Sequence, residues 1–200
     1  MVEVKIFTDV IDALEKVGKG VVAVNDLPRK TRQSYADTVS EAFAIMDSAL
    51  GLIYTRLGDL CLIENQDDFL KELARLDNVS EWTQIEKDMR LCRNLRAVHR
   101  EMESFVPSKM GQLAVADWDN LQRRISQIIH REGELADFIC RALSKLAQGA
   151  GPARDSARGY ENIRRTVLKT KNAVKTERQR LIGSELEFLD SLKLRKIKTG

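Results

Sequence analysis

Tyr35, Val39, Ala42, Phe43, Met46, Ala49, Leu50, Ile53, Leu57, Leu60 and Cys61 recur along the chain at steps of three and four. At 100° per residue they share one narrow arc, while Arg29, Lys30, Arg32, Asp37, Glu41 and Arg56 lie mostly outside it. The spacing predicts a helix over residues 28–62, roughly 52 Å long at the helical rise. Pro28 suits its first turn. A stripe that long and narrow is covered by other long helices lying beside it.

The same periodicity recurs before and after. Residues 4–24 predict an amphipathic helix with Phe7, Val10, Ile11, Leu14, Val17, Val21 and Val22 on one side. A short helix is expected over 67–76, with Phe69, Leu70, Leu73 and Leu76 inward and Asn78 or Ser80 capping the next helix. Longer helices are expected over 80–106, carrying Trp82, Ile85, Met89, Cys92, Leu95 and Met102, and over 117–147, opened by Asp117 and carrying Trp118, Leu121, Ile125, Ile128, Leu135 and Ile139. Residues 148–159, with Gly149, Gly151, Pro152 and Gly159, read as a loop.

The last helix starts near Asp155 or Ser156 and carries Tyr160, Ile163, Val167 and Val174 as far as residue 174. Lys175, Glu177, Arg178 and Arg180 then interrupt the stripe, which resumes with Leu181, Ile182, Leu186, Leu189 and Leu192. A charge is costly to bury unpaired, so the expected division is a helical bundle over 1–174 and a basic helical extension over 175–200. The renewed stripe needs a cover: the N-terminal helix, a second copy, or another domain.

Composition sharpens this outline. Apolar residues at 43%, charged residues at 32% and only three prolines suit an all-α globular chain and not an all-β one. Of 33 Lys/Arg and 30 Asp/Glu, 13 and 6 fall at or beyond Ala153, leaving 20 and 24 before it. The front of the chain is mildly acidic and its tail is basic. Cys61, Cys92 and Cys140 are odd in number and lie on apolar helical faces, as reduced core thiols of a cytoplasmic protein do. No signal-peptide pattern opens the chain, and its longest apolar run is too short to span a bilayer.

The candidate chemistry is sparse. His99 and His130 each open a similar string, but antiparallel pairing of their helices sets them about six residues out of step, roughly 9 Å along the axis. Neither has a Glu three positions before it, and no His-Glu-x-x-His is present, so no metal site is expected. Gly149-Ala-Gly151 lacks the strand and the Gly-Lys-Ser/Thr ending of a phosphate loop. No nucleophile elbow or carboxylate pair stands out, so no catalytic residue and no cofactor is expected.

Two surfaces remain. Arg90, Arg93, Arg96 and Arg100 form a stripe able to clamp phosphate or carboxylate. The plainer expectation is pairing within the chain, with Glu132, Glu134 or Asp137. The second surface is the late apolar stripe, Leu181, Ile182, Leu186, Leu189 and Leu192. The basic tail lacks interleaved aromatics, which disfavours nucleic acid as its partner.

The fold expected from these features is all-α: an elongated antiparallel four-helix bundle with an N-terminal amphipathic helix and a short cross-helix. The expected function is a non-enzymatic protein–protein interaction module that holds another protein or a second copy of itself. Helix order and length also resemble HeLo-type and necroptosis-type cell-death domains. That resemblance implies an alternative, a membrane-acting bundle of the cell-death or defence type that uses its N-terminal helix.

Overall fold

The stripe at 28–62 folds as one helix, α2 (Arg29–Leu62). Val39, Phe43, Met46, Leu50, Ile53, Leu57 and Leu60, alternately four and three residues apart, are all buried on it. The computed structural model describes residues 5–19, 29–104, 112–129 and 135–197, and no strand occurs among them. The remaining helices are α1 (Lys5–Lys19), α3 (Gln66–Ala74), α4 (Val79–Met89), α5 (Leu91–Ser104), α6 (Gln112–Ile129), α7 (Leu135–Gln148), α8 (Ala150–Arg154) and α9 (Ala157–Ile197). A 3-10 turn, Arg75–Asp77, follows α3. The protein is all-α.

The longest partner of α2 is α9, which runs antiparallel to it. Gly58 faces Lys171, Gly51 faces Arg178, and Phe43 meets Phe188. The two glycines are seven residues apart and give room for the two long basic side chains. A Cβ on Gly51 would stand 3.4 Å from the Arg178 guanidinium carbon. Helix α1 occupies a seat formed by α2, α6 and α9. Val10, Ile11, Ala13, Leu14 and Val17 are all buried there. It runs parallel to α9, since Asp12 meets Arg180, Glu15 meets Ser184 and Gly18 meets Phe188. Helix α5 closes this end against α2 and α6.

At the far end α7 packs on α4 and the 3-10 turn, while α8 packs on α9 and α3. The Trp82 indole N–H donates to the Leu76 carbonyl at 2.8 Å, fixing α4 against the turn. Val39, Met46, Ile53, Leu57, Cys92, Leu95, Leu121, Ile125, Ile128, Leu135 and Ile139 are buried together in one core.

Capping follows the residue types. Asn65 caps α3 by accepting from the Asp68 backbone N–H at 3.1 Å. Asn78 accepts from Ser80 at 3.1 Å before α4, and the Ser156 hydroxyl accepts from Gly159 at 3.0 Å before α9.

The divisions differ from expectation in several places. Residues 80–106 are not one helix: α4 ends and α5 begins at Arg90, whose φ of 55° is left-handed. The break lets α4 pack on α7 while α5 turns onto α2 and α6. Asp117 is no cap, because α6 already begins at Gln112. Residues 150–154 are not loop but α8, where the small residues Ala150 and Ala153 are buried. Residues 20–24 of the expected first helix, and the junction of the expected 117–147 helix at 130–134, lie outside the described residues. Finally, α9 runs without interruption through the expected boundary at 174/175.

Candidate interaction surface

The continuity of α9 has a plain origin. Val167, Val174, Leu181 and Phe188 are seven residues apart and all buried, so the inward seam never stops. Three residues further on, the positions that would complete it are Thr170, Glu177, Ser184 and Ser191. Thr170, Ser184 and Ser191 find hydrogen-bond partners there, while the Glu177 Oε2 is buried without one. Thr170 donates to the Thr166 carbonyl at 2.9 Å, and Ser184 donates to the Glu15 carboxylate at 2.9 Å. Glu177 stands 3.6 Å from the Arg180 guanidinium.

The two arginines in 175–180 are paired by α1 and α2. Arg178 makes a two-pronged contact with Asp47, at 2.6 and 3.0 Å. Arg180 bridges Asp12 and Glu15 of α1. On the opposite flank of α1, Arg124 of α6 reaches Asp9 at 3.4 Å. The interruption in the stripe is therefore a set of clamps that hold α1 and α2 to α9. Two of the five residues of the renewed stripe are covered: Leu181 is buried and Leu189 half-buried, with Phe188, outside that stripe, buried beside them.

Two carboxyl groups on either side of this contact shift in opposite directions. Burial alone would raise Glu15, but hydrogen bonds from Arg180 and Ser184, aided by the charges of Arg180 and Lys19, leave its pKa lowered. Glu185 is raised, by burial and by the nearby charge of Asp47. A carboxyl whose folded pKa is raised stabilises the fold below its unfolded pKa, and loses that contribution as pH rises through the folded value. Glu185→Gln is thus expected to raise the urea midpoint at pH 7 and to leave it nearly unchanged below about pH 4. Equal shifts at both pH values would remove Glu185 from the proton balance.

What stays open is the outward face of α9. Ile182 is 39% exposed and Leu186 57% exposed, one turn apart. Gly183 beside them has no atom within 4 Å of where a Cβ would stand, so no packing within the chain requires a glycine there. Leu192 falls among side chains outside the described residues.

Of the partners expected for the arginine stripe only Asp137 lies among the described residues, and it is engaged elsewhere. Arg90, Arg93, Arg96 and Arg100 are all exposed, and among the described residues none forms an ion pair. Arg100 donates instead to the Arg96 carbonyl at 3.4 Å. Asp137, one of the expected partners, pairs with Arg141 at 3.0 Å, while Glu132 and Glu134 lie outside the described residues. Arg90 does not continue the spiral of the other three, because the left-handed residue resets the helix phase.

Among the described residues no three His, Cys, Asp or Glu side chains converge as metal ligands. His99 is buried, 3.6 Å from Glu103, and His130 is outside the described residues. Burial, with Asp77 and Asp137 nearby, pushes the Cys140 thiol up to about 11, which keeps it protonated at neutral pH. None of the three cysteines forms a disulfide. Among the described residues no helix is long and apolar enough to cross a membrane.

Known protein families, curated proteins and solved structures contain no match to this chain. Its surface chemistry is thus the guide to function. Phe188, Gly183 and the pairings of Arg178 and Arg180 were not foreseen from the pattern of residues along the chain. The seven-residue spacing from Val167 to Phe188 was the available signal for the first.

Proposed function

We propose that this chain is a non-enzymatic interaction module, an elongated antiparallel helical bundle that docks another protein chain on the outward face of α9. The observation that carries this reading is the pair Ile182 and Leu186, exposed one turn apart on a helix whose inward seam is already filled. Burying two such side chains at an interface stabilises it by about 1.5–3 kcal/mol each. The α5 arginines supply a second, polar patch free of intrachain ion pairs among the described residues.

The double substitution Ile182→Arg and Leu186→Arg tests this reading. Both side chains face solvent, so the melting temperature is expected to stay within a few degrees of the parent. Association, measured as solution mass and as binding to any identified partner, is expected to fall. Unchanged association would remove the α9 face as the docking surface.

The membrane-acting alternative draws support from α1, whose apolar residues Val10, Ile11, Leu14 and Val17 all lie on one side. Against it, that side is buried and the polar edges are tied to Arg124 and Arg180. Vesicle leakage by the full chain, abolished by Leu14→Lys, would favour this alternative over docking on α9.

A further inference from the structure

The outward face of α9 carries more than two apolar side chains. Taking Ile182 as the origin of the helical wheel, Lys175, Leu186, Gln179, Asp190 and Gly183 all fall within the next 100°. Lys175, Gln179, Leu186 and Asp190 are exposed, as is Gly183. A glycine midway along a long helix weakens it, and nothing within the chain explains its place at 183. A second helix laid across that point does explain it, since a missing Cβ lets two backbones approach closely.

We infer that the partner of this face is a second copy of the chain, packed antiparallel through α9 about a two-fold axis between Ile182 and Gly183. This rests on the α9 face being the docking surface, and adds the identity of the occupant.

The face is complementary to itself. In an antiparallel pair centred between residues 182 and 183, Ile182 of each copy meets Ile182 of the other on one flank of the seam, and the two Gly183 residues face each other on the opposite flank. Leu186 then lies level with Gln179, and Lys175 lies level with Asp190. The two-fold axis repeats each match, so one register joins the two isoleucines, lets the backbones approach where the two glycines face, and sets a cation level with an anion twice. Shifting that register by three residues sets Lys175 opposite Lys193 and loses the match. The stretch from 175 to 190 spans roughly 22 Å at the helical rise, a length that two helices crossing at a shallow angle stay in contact over.

A bilayer and an unrelated acidic protein are the competing occupants. Neither calls for a glycine at 183, nor for a charge pattern that complements itself under two-fold rotation.

The test is a concentration series of the full chain by sedimentation equilibrium, with six variants whose folding is checked by circular dichroism. The parent is expected to dimerise. Lys175→Asp and Asp190→Lys, each altering two pairs at once, are each expected to weaken the dimer by about tenfold. The double variant carrying both is expected to recover most of that loss. Gly183→Ala is expected to raise the melting temperature of the monomer while weakening the dimer.

A chain that stays monomeric up to about 1 mM, the affinity scale of the weakest specific contacts, overturns the second copy as occupant. If that monomer still binds a protein, or vesicles containing phosphatidylserine, in a manner lost with Leu186→Arg, the α9 face survives as a docking surface with a different occupant. A dimer that ignores the charge swap overturns the register. A dimer that also persists with Ile182→Arg and Leu186→Arg removes the α9 face altogether.

Discussion

Phe188→Ala is expected to lower the stability of the protein by about 3–5 kcal/mol, the cost of emptying a buried phenylalanine site. Phe188 is 2% exposed and its ring lies 6.1 Å from that of Phe43 on α2. It also covers Gly18, where an added Cβ would stand 3.6 Å from the Phe188 Cβ. The cavity would open where α1, α2 and α9 meet, and none of the three is free to collapse into it. Arg180 and Arg178 hold α9 at its distance from α1 and α2. The measurement is the urea midpoint beside that of Leu186→Ala. Leu186 is two residues away but exposed, and its truncation is expected to change stability by no more than about 0.5 kcal/mol. Equal, small shifts for both would mean that residues beyond 174 are an appended tail.

Trp118→Ala is also expected to cost about 3–5 kcal/mol, for a different set of contacts. The indole is 1% exposed and stacks on Tyr35 with ring centroids 5.0 Å apart. Its N–H donates to the Met102 carbonyl at 3.3 Å, and the Tyr35 hydroxyl donates to the Val17 carbonyl at 2.6 Å. One stacked pair thus links α6, α5, α2 and α1. Burial, with the charge of Asp117 nearby, raises the Tyr35 phenol, so it remains a donor well into the alkaline range. Trp118→Phe keeps a ring against Tyr35 and loses the N–H, so its midpoint should fall between those of the parent and Trp118→Ala. A fully parental midpoint for Trp118→Ala would place the indole outside the core.

How much of this was legible beforehand depended on whether the buried set was apolar. In α2 the positions 39, 43, 46, 50, 53, 57 and 60 are all apolar, and periodicity alone defined the helix and its inward face. In α9 only every seventh seam position is apolar, and the ones between are Thr170, Glu177 and Ser184. Their partners sit on α1 or within α9, which no local pattern reveals, so a continuous helix read as a bundle helix plus a tail. The kink at Arg90 had no signal either, because nothing in the residue types there marks a left-handed position as Gly or Asn would. The arginine stripe could be located but not its partners, since those depend on which helix turns toward it. Gly183 shows the limit most plainly: a glycine explained by no neighbour within the chain acquires meaning only once the empty space around it is known.

The seat of α1 sets a schedule for synthesis. Glu15 and the Arg180 that clamps it are 165 residues apart in sequence. At ribosomal speeds of about 5–20 residues per second, roughly 8–33 seconds separate their appearance. Throughout that interval Val10, Ile11, Leu14 and Val17 have no α9 to cover them. This end of the molecule therefore closes only after α9 has left the ribosome, and the nascent chain must shield an amphipathic helix until then.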